Sequence, residues 1–273
     1  MAGRYFRWRL HPFSVREFLP QVKSADEALA ALLKFSGVPE PLFAGTDANR
    51  KRWQNQYFTD LVREDVLEFS RIHEVRAMRN LLALLRTRTG NPLSIESLAR
   101  DLSVAPNTLR NYINILEALH IVFLVRPYHR NIARAQAKAP KLYFYDWAYV
   151  QNPNSAHDAS GAQFENCVAS HLLKHVQFLN DSQVEQLELH YIRTTSGHEI
   201  DFVLANEASA EGEATHFIEV KLANTKPTYA PKQMAHTHPN AQAIQLVLHG
   251  KHDYVVDGIS VCGAAQWLAA LAA

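Results

Sequence analysis

The chain has 273 residues, 47% hydrophobic and 20% charged, and its 28 basic against 27 acidic residues leave a formal net charge of +1. That balance excludes a global electrostatic attraction to nucleic acid. No apolar run approaches the roughly 18 residues that a membrane span needs. Two cysteines are too few for a disulfide framework. Length and composition therefore predict a cytoplasmic protein of two or three domains with no membrane segment.

The first 73 residues predict one strand followed by helices. Residues 4–10 alternate between the two sides of a strand, and because a lone strand is not stable, residues 1–20 are interpreted as the end of a larger domain. Residues 25–35 predict a helix, and apolar residues every three to four positions from 47 to about 70 predict a second. Residues 21–73 are thus a predicted helical segment.

Residues 74–126 carry the clearest local pattern. An amphipathic helix over 75–88 precedes a short helix that Ser94 caps, and a turn then leads to a second helix with Asn107 as its predicted cap. The apolar strand IVFLV follows at once. Helix, short helix, tight turn, helix and strand in this order predict a winged helix-turn-helix.

Two features of this part of the chain suit nucleic acid. Arg110 and Asn111 lie on the predicted exposed face of the second helix, and such side chains suit guanine and adenine edges. A basic strip over 126–141 contains no acid and could follow phosphates; its members are Arg126, Arg130, Arg134, Lys138 and Lys141. The alternatives are a domain used only for packing and a solvated linker.

The last part of the chain, residues 127–273, predicts a mixed α/β domain. A strand near KLYFYDWAYV leads to a helix over 161–176, and four apolar strands then follow, namely QLELHYIRT, EIDFVL, HFIEVKL and AIQLVLHG. The chain ends in a short predicted helix, GAAQWLAALAA.

Three polar side chains stand out in two of those strands. Asp201 is the one acid in an apolar run, which is costly unless it is paired or binds a cation. Glu219 and Lys221 share a face of the next strand, because side chains alternate. Two carboxylates are hard ligands for Mg²⁺ or Mn²⁺, and a lysine beside them can activate a metal-bound water or neutralise a phosphate. Glu165, on the preceding helix, is a predicted fourth member.

This arrangement resembles the P-D-(D/E)-x-K nuclease superfamily. Asp201, followed after seventeen residues by Glu219-Val220-Lys221, matches the motif. The resemblance implies that Asp201 and Glu219 bind the metal, that Lys221 is catalytic, and that Glu165 is the acid on the first helix.

A wider resemblance covers nearly the whole chain. The motifs SGVPEPL, WQNQYFTDLVREDV, APKLYFYDWAY, GAQFEN, GHEIDFVL and FIEVKLA, in this order, are similar to the C-terminal half of prokaryotic AAA-type ATPases. The chain has no G-x-x-x-x-G-K-[ST] phosphate-binding loop. We therefore expect no ATP site here and no ATPase activity by this chain alone, which would be a truncated relative.

The sequence thus predicts a mixed α/β protein, with a helical segment and winged helix-turn-helix followed by a restriction-endonuclease-like α/β domain. The predicted function is metal-dependent binding or processing of nucleic acid, most simply DNA, by a Mg-dependent phosphodiesterase. The alternative is a non-catalytic interaction or regulatory module that contacts a protein partner and carries a vestigial nuclease fold.

Overall fold

A computed structural model describes residues 8–60, 75–128, 139–151, 160–193, 197–206, 213–223, 225–250 and 252–273. Within these ranges the α-helices are α1 Val15–Phe18, α2 Ala25–Phe35, α3 Pro39–Ala44, α4 Asp47–Asp60, α5 Val75–Thr87, α6 Ile95–Leu102, α7 Pro106–Ala118, α8 Ser160–Asp181, α9 Tyr229–Thr237 and α10 Ala264–Ala269. The strands are β1 Val122–Pro127, β2 Lys141–Phe144, β3 Leu187–Arg193, β4 Glu199–Asn206, β5 Glu213–Ala223, β6 Gln242–His249, β7 Tyr254–Val256 and β8 Ile259–Gly263. The protein is therefore mixed α/β.

The chain forms two compact units, each assembled from separated segments. The helical unit comprises Ala30–Pro127 and Ala133–Ser170, and the sheet unit comprises Met1–Leu29, Tyr128–Ile132 and His171–Ala273. The domains predicted from the sequence follow one another along the chain, whereas the segments of these two units alternate along it. Consecutive residues need not share a core, because apolar faces pack wherever the chain brings them together.

The helical unit contains the predicted run of helix, short helix, turn, helix and strand. Ser94 caps α6 by accepting a hydrogen bond from the backbone N–H of Ser97. The predicted cap Asn107 is wrong, since α7 begins one residue earlier at Pro106 with Ala105 as its N-cap. Proline suits the first helical position because its φ is already helical and its missing N–H would have no partner there. The antiparallel pair of β1 and β2 completes this part.

One apolar core holds the helical unit together. It takes side chains from α5, α6, α7, β1 and β2, whose apolar residues recur at the periods that bury one face of a helix or strand. Its fully buried members include Met78, Leu81, Leu85, Leu109, Leu116, Val122 and Phe144.

The sheet unit is built on a mixed sheet in the order β3-β4-β5-β6-β8-β7. Strands β3, β4 and β5 pair antiparallel, whereas β5, β6 and β8 pair parallel. Parallel neighbours need a crossover, and α9, which the sequence analysis missed, lies in the connection from β5 to β6. Val203, Phe217 and Ala230 belong to a core cluster in which α9 packs on the sheet.

The N-terminal strand prediction is wrong where it can be checked. Trp8, Arg9 and Leu10 form no strand, and the remaining predicted residues lie outside the described ranges. Trp8 and Arg9 instead contact the end of α8: the Trp8 ring lies 5.9 Å from that of Phe178, and Arg9 donates to both carboxylate oxygens of Asp181 at 3.0 Å.

Helix ends also differ from prediction. The helix predicted over 47–70 is α4, described as far as Asp60, and the rest of that prediction falls outside the described residues. The helix predicted over 161–176 runs longer, from Ser160 to Asp181. Among the described helices, none combines the length and the hydropathy that crossing a membrane requires.

Candidate functional site

The three residues singled out in the last strands lie on one face of the sheet. Val203 of β4 is the register partner of Phe217 of β5. Asp201 lies two residues before Val203, and Glu219 lies two residues after Phe217. Because side chains alternate between the two faces of a strand, both acids lie on the same face as that pair. Lys221 follows on that face, so two acids and an amine meet where β4 and β5 adjoin.

Direct contacts join these side chains to each other and to the backbone. The Lys221 Nζ lies 2.9 Å from Glu219 Oε1, and the Glu219 side chain is buried while that of Lys221 is about one third exposed. Asp201 Oδ2 accepts a hydrogen bond of 2.8 Å from the backbone N–H of Val220. Backbone donation to a carboxylate fixes its orientation and favours its charged form.

The segment after β5 and the strand β6 each add one residue that the sequence analysis missed. Thr228, the N-cap residue of α9, donates its hydroxyl to Glu219 Oε1 at 3.1 Å and to Oε2 at 3.3 Å. Gln245 of β6 is the register partner of Glu219, is fully buried, and donates its Nε2 to the Thr225 carbonyl at 2.7 Å. A signal for Gln245 was present, since it is a single polar residue in the apolar run AIQLVL.

The donors available to a metal ion are mainly oxygen atoms. Among the described residues, no group of three or more His, Cys, Asp and Glu side chains could hold a metal ion. The two carboxylates of Asp201 and Glu219 are hard donors, and Mg²⁺ typically uses one or two carboxylates while keeping several waters. The arrangement is chemically suited to such an ion.

Glu165 belongs to the helical unit and has its own partners. Its Oε1 accepts a hydrogen bond of 2.7 Å from the Tyr143 hydroxyl and lies 3.4 Å from the Nζ of Lys141. Gly90, at φ +77°, lies so close that a Cβ there would be 3.0 Å from Glu165 Oε1. These contacts make Glu165 the counter-ion of a buried lysine.

Arg110 and Asn111, the predicted base-reading residues, are exposed on α7. The Arg110 guanidinium has partners within the chain, since it donates to Asn107 Oδ1 at 2.9 Å and to Glu96 Oε1 at 3.4 Å. A base or phosphate would have to displace this exposed ion pair, which costs little.

The basic strip is only partly within the described residues. Arg126 is exposed in β1, and its charge offsets part of the rise that burial causes in the pKa of Glu117. Three predicted contact residues lie outside the described ranges, namely Arg130, Arg134 and Lys138. The prediction that Lys141 belongs to the basic strip is wrong. Lys141 is buried in β2 and paired with Glu165, so it cannot contact a phosphate backbone.

Asp146, which carries no catalytic prediction, has a structural place in the helical unit. It accepts a hydrogen bond of 2.6 Å from the Ser36 hydroxyl and caps the turn Trp147–Tyr149 through the backbone N–H of Ala148. Burial raises the pKa of the Asp146 carboxyl, although these hydrogen bonds oppose the rise.

Two family models match separate parts of the chain. Residues 26–152 match a domain of unknown function (DUF8612), and residues 160–267 match another domain of unknown function (DUF4143). The chain is thus similar to two such domains, and the second is commonly the C-terminal part of AAA-type ATPases.

The similar curated proteins are themselves uncharacterized. Proteins of Mycobacterium tuberculosis and Mycobacterium bovis are each 27% identical over 146 residues, covering 54% of this chain and 32% of the relative. A Haemophilus influenzae protein is 19% identical over 284 residues, covering 98% of this chain and 66% of the relative. The chain thus spans about a third of the mycobacterial relatives. No solved structure matches.

Proposed function

We propose that this chain is a metal-dependent nucleic-acid-processing protein with a nuclease-like site at Asp201, Glu219 and Lys221. The observation that carries the proposal is the convergence of these side chains on one face of β4 and β5, with Lys221 Nζ 2.9 Å from Glu219 Oε1. The hairpin that joins β4 to β5 is the strand–loop–strand context that the P-D-(D/E)-x-K motif requires, and the mixed sheet supports a restriction-endonuclease-like domain.

The residues of the site divide the chemistry between them. Asp201 and Glu219 would hold Mg²⁺ or Mn²⁺, which polarises a phosphoryl oxygen and lowers the pKa of a bound water. The Lys221 ammonium would neutralise charge that develops at the scissile phosphate. Thr228 and the backbone N–H of Val220 hold the two carboxylates in place. Glu165 stays a predicted supporting acid.

The substrate would be held by basic and amide groups. Arg110 and Asn111 on α7 are proposed to contact duplex DNA in the manner of a winged helix, and Arg126 would contact phosphates together with Arg130, Arg134 and Lys138. Binding that rests on phosphate contacts weakens steeply with salt. Arg110, Asn111 and Arg126 support this part by residue type and exposure, and the other three residues support it by residue type alone.

Titration calorimetry with Mn²⁺ and Mg²⁺ tests the metal site. The wild-type chain is expected to bind, whereas Asp201→Asn, which keeps an oxygen for the Val220 N–H but loses the charge, is expected to lose binding. Asp253→Asn is the matched control, because Asp253 also accepts a backbone N–H, from Gly263 at 2.8 Å. The proposal is overturned if the wild-type chain binds neither ion at millimolar concentrations of the metal.

A plasmid-nicking assay separates binding from cleavage. Glu219→Gln is expected to lose both metal binding and nicking, while Lys221→Ala is expected to lose nicking and still bind metal. Nicking by Lys221→Ala at the wild-type rate would remove Lys221 from the reaction.

A specific observation favours a second candidate, a non-catalytic interaction module. Glu219 already receives an ammonium and a hydroxyl within the chain, so its charge is compensated without a metal. On this account the acids are vestigial and the domain contacts a protein partner. The outcome that supports it is that neither the wild-type chain nor Asp201→Asn binds metal in the calorimeter and that the wild-type chain does not nick the plasmid.

A further inference from the structure

Gln245 is a fully buried amide in the middle of the parallel part of the sheet. Its strand, β6, lies between β5 and β8, and its neighbours Ile244 and Leu246 are buried and apolar. A buried amide in such a strand costs free energy unless both of its ends find partners.

Only one end of this amide has a partner. Nε2 donates to the Thr225 carbonyl at 2.7 Å, whereas Oε1 is buried and has no hydrogen-bond partner within the described part of the chain. The orientation of the amide is fixed by chemistry, because the Thr225 carbonyl can only accept and so must face the nitrogen. An unsatisfied buried acceptor costs about 1–3 kcal/mol, and such an atom calls for an explanation.

The unpaired oxygen belongs to the same neighbourhood as the acids. Gln245 and Glu219 are register partners on parallel strands, so their side chains extend from the same face of the sheet, with backbones about 4.8 Å apart. The short segment after β5 contacts both of them: Thr225 accepts from Gln245, and Thr228 donates to Glu219.

We propose that Gln245 Oε1 is the third oxygen ligand of the cation held by Asp201 and Glu219. This inference rests on the proposed function. A neutral amide oxygen is a hard donor of the kind that Mg²⁺ and Mn²⁺ accept. It adds a ligand without adding charge. Thr225 positions the amide, as outer partners of metal ligands commonly do.

The proposal also explains how the metal and Lys221 share Glu219. The ammonium lies at Oε1 of Glu219, which leaves Oε2 to the ion together with Thr228. Asp201 on β4, Glu219 on β5 and Gln245 on β6 would then approach the ion from three neighbouring strands.

The test is titration of the full chain with MnCl₂ and with MgCl₂, read by calorimetry and by the metal-induced rise in melting temperature. Gln245→Met, similar in length and without hydrogen-bonding groups, is expected to weaken metal binding by roughly 10- to 100-fold. Gln242→Met is the matched control, because Gln242 lies on the same strand but is exposed; its affinity is expected to equal that of the wild type.

A second variant, Gln245→Glu, is expected to strengthen metal binding, and a variant that has failed to fold cannot give that result. A third carboxylate should bind Mn²⁺ about tenfold more tightly and should enlarge the metal-induced rise in melting temperature. An affinity no tighter than that of the wild type overturns the ligand role.

The failures of the two proposals are distinguishable. A wild-type chain that binds neither ion overturns the proposed function and this inference with it. Wild-type binding that Asp201→Asn abolishes and Gln245→Met leaves unchanged overturns only the role of Gln245, whose oxygen would then face a buried water. If Gln245→Met does not fold, the Gln245→Glu arm decides.

Discussion

Each compact unit contains a lysine–glutamate pair, and the two pairs differ in which partner is buried: the lysine in the helical unit and the glutamate in the sheet unit. In the helical unit, the Lys141 side chain is 1% exposed and Glu165 is 24% exposed, with 3.4 Å between Nζ and Oε1. In the sheet unit, Glu219 is 5% exposed and Lys221 is 33% exposed, with 2.9 Å between the charged atoms. Residue types and contact distances are therefore similar, and the two pairs differ in which charge is removed from water.

The buried end determines what each pair can do. A buried ammonium repels a cation and requires its carboxylate, so the Lys141 pair is suited to holding structure. A buried carboxylate next to a second acid attracts a cation, so the Glu219 pair is suited to a metal. Residue type alone does not distinguish these cases.

The largest expected effect comes from removing the counter-ion of the buried lysine. Glu165→Ala is expected to lower the free energy of unfolding by about 3 kcal/mol, because it removes a carboxylate from a buried charge. Glu165→Gln should lose less, since it can still accept from Tyr143. Urea denaturation measures both.

Its control is Glu96→Ala, which breaks the exposed pair with Arg110 in the same unit and should cost less than about 1 kcal/mol. Unchanged metal affinity in Glu165→Gln would limit Glu165 to its structural role. A loss of affinity there would instead support Glu165 as a member of the site and would weaken the contrast between the two pairs.

A smaller effect is expected from crowding the same carboxylate. Gly90→Ala should cost about 1–2 kcal/mol from the left-handed backbone at φ +77°, plus the cost of moving Glu165 Oε1 away from a Cβ at 3.0 Å. Gly45→Ala has the same backbone strain at φ +61° but meets nothing within 4 Å. Equal losses in denaturant melts would mean that Glu165 moves aside freely.

The smallest effect concerns a third pair, Glu17 and Lys174 of the sheet unit, which are hydrogen-bonded to each other. Burial acts to raise the pKa of Glu17, but Lys174 and Ser14 outweigh it and the net pKa lies below the ordinary value of 4.5. Burial lowers the pKa of Lys174, which still remains charged in acid. The folded-state pKa of Glu17 is depressed, so its contribution is present above pH 4.5 and is lost as the pH falls through the folded pKa.

Glu17→Gln should therefore lower the free energy of unfolding at pH 7, by at most about 1 kcal/mol because Glu17 is partly exposed. The difference from wild type should shrink towards pH 3. Denaturant titrations at several pH values between 3 and 7 measure this. A difference that does not depend on pH would show that Glu17 acts through packing or capping alone.

Local patterns predicted much of the secondary structure, since periodicity and caps act over a few residues. The pattern ADEALAALLKF gave the helix that forms as α2, and Ser94 was identified as the cap of α6. Asp201 was singled out because a lone acid in an apolar strand is costly. The same cost applies to Gln245, a buried amide in an apolar strand. The alternation over residues 4–10 predicted a strand that Trp8, Arg9 and Leu10 do not form, because a local alternation does not show whether a partner strand is present.

Sequence by itself determined that Glu219 and Lys221 share a face and that Asp201 interrupts an apolar strand, because alternation is a property of the extended chain. Only tertiary structure decided that Asp201 and Glu219 lie on one face, that Thr228 and Gln245 join Glu219, and that Lys141 is buried against Glu165. Strand register and burial are set by contacts between distant segments, and a local pattern contains no information about which segments will meet.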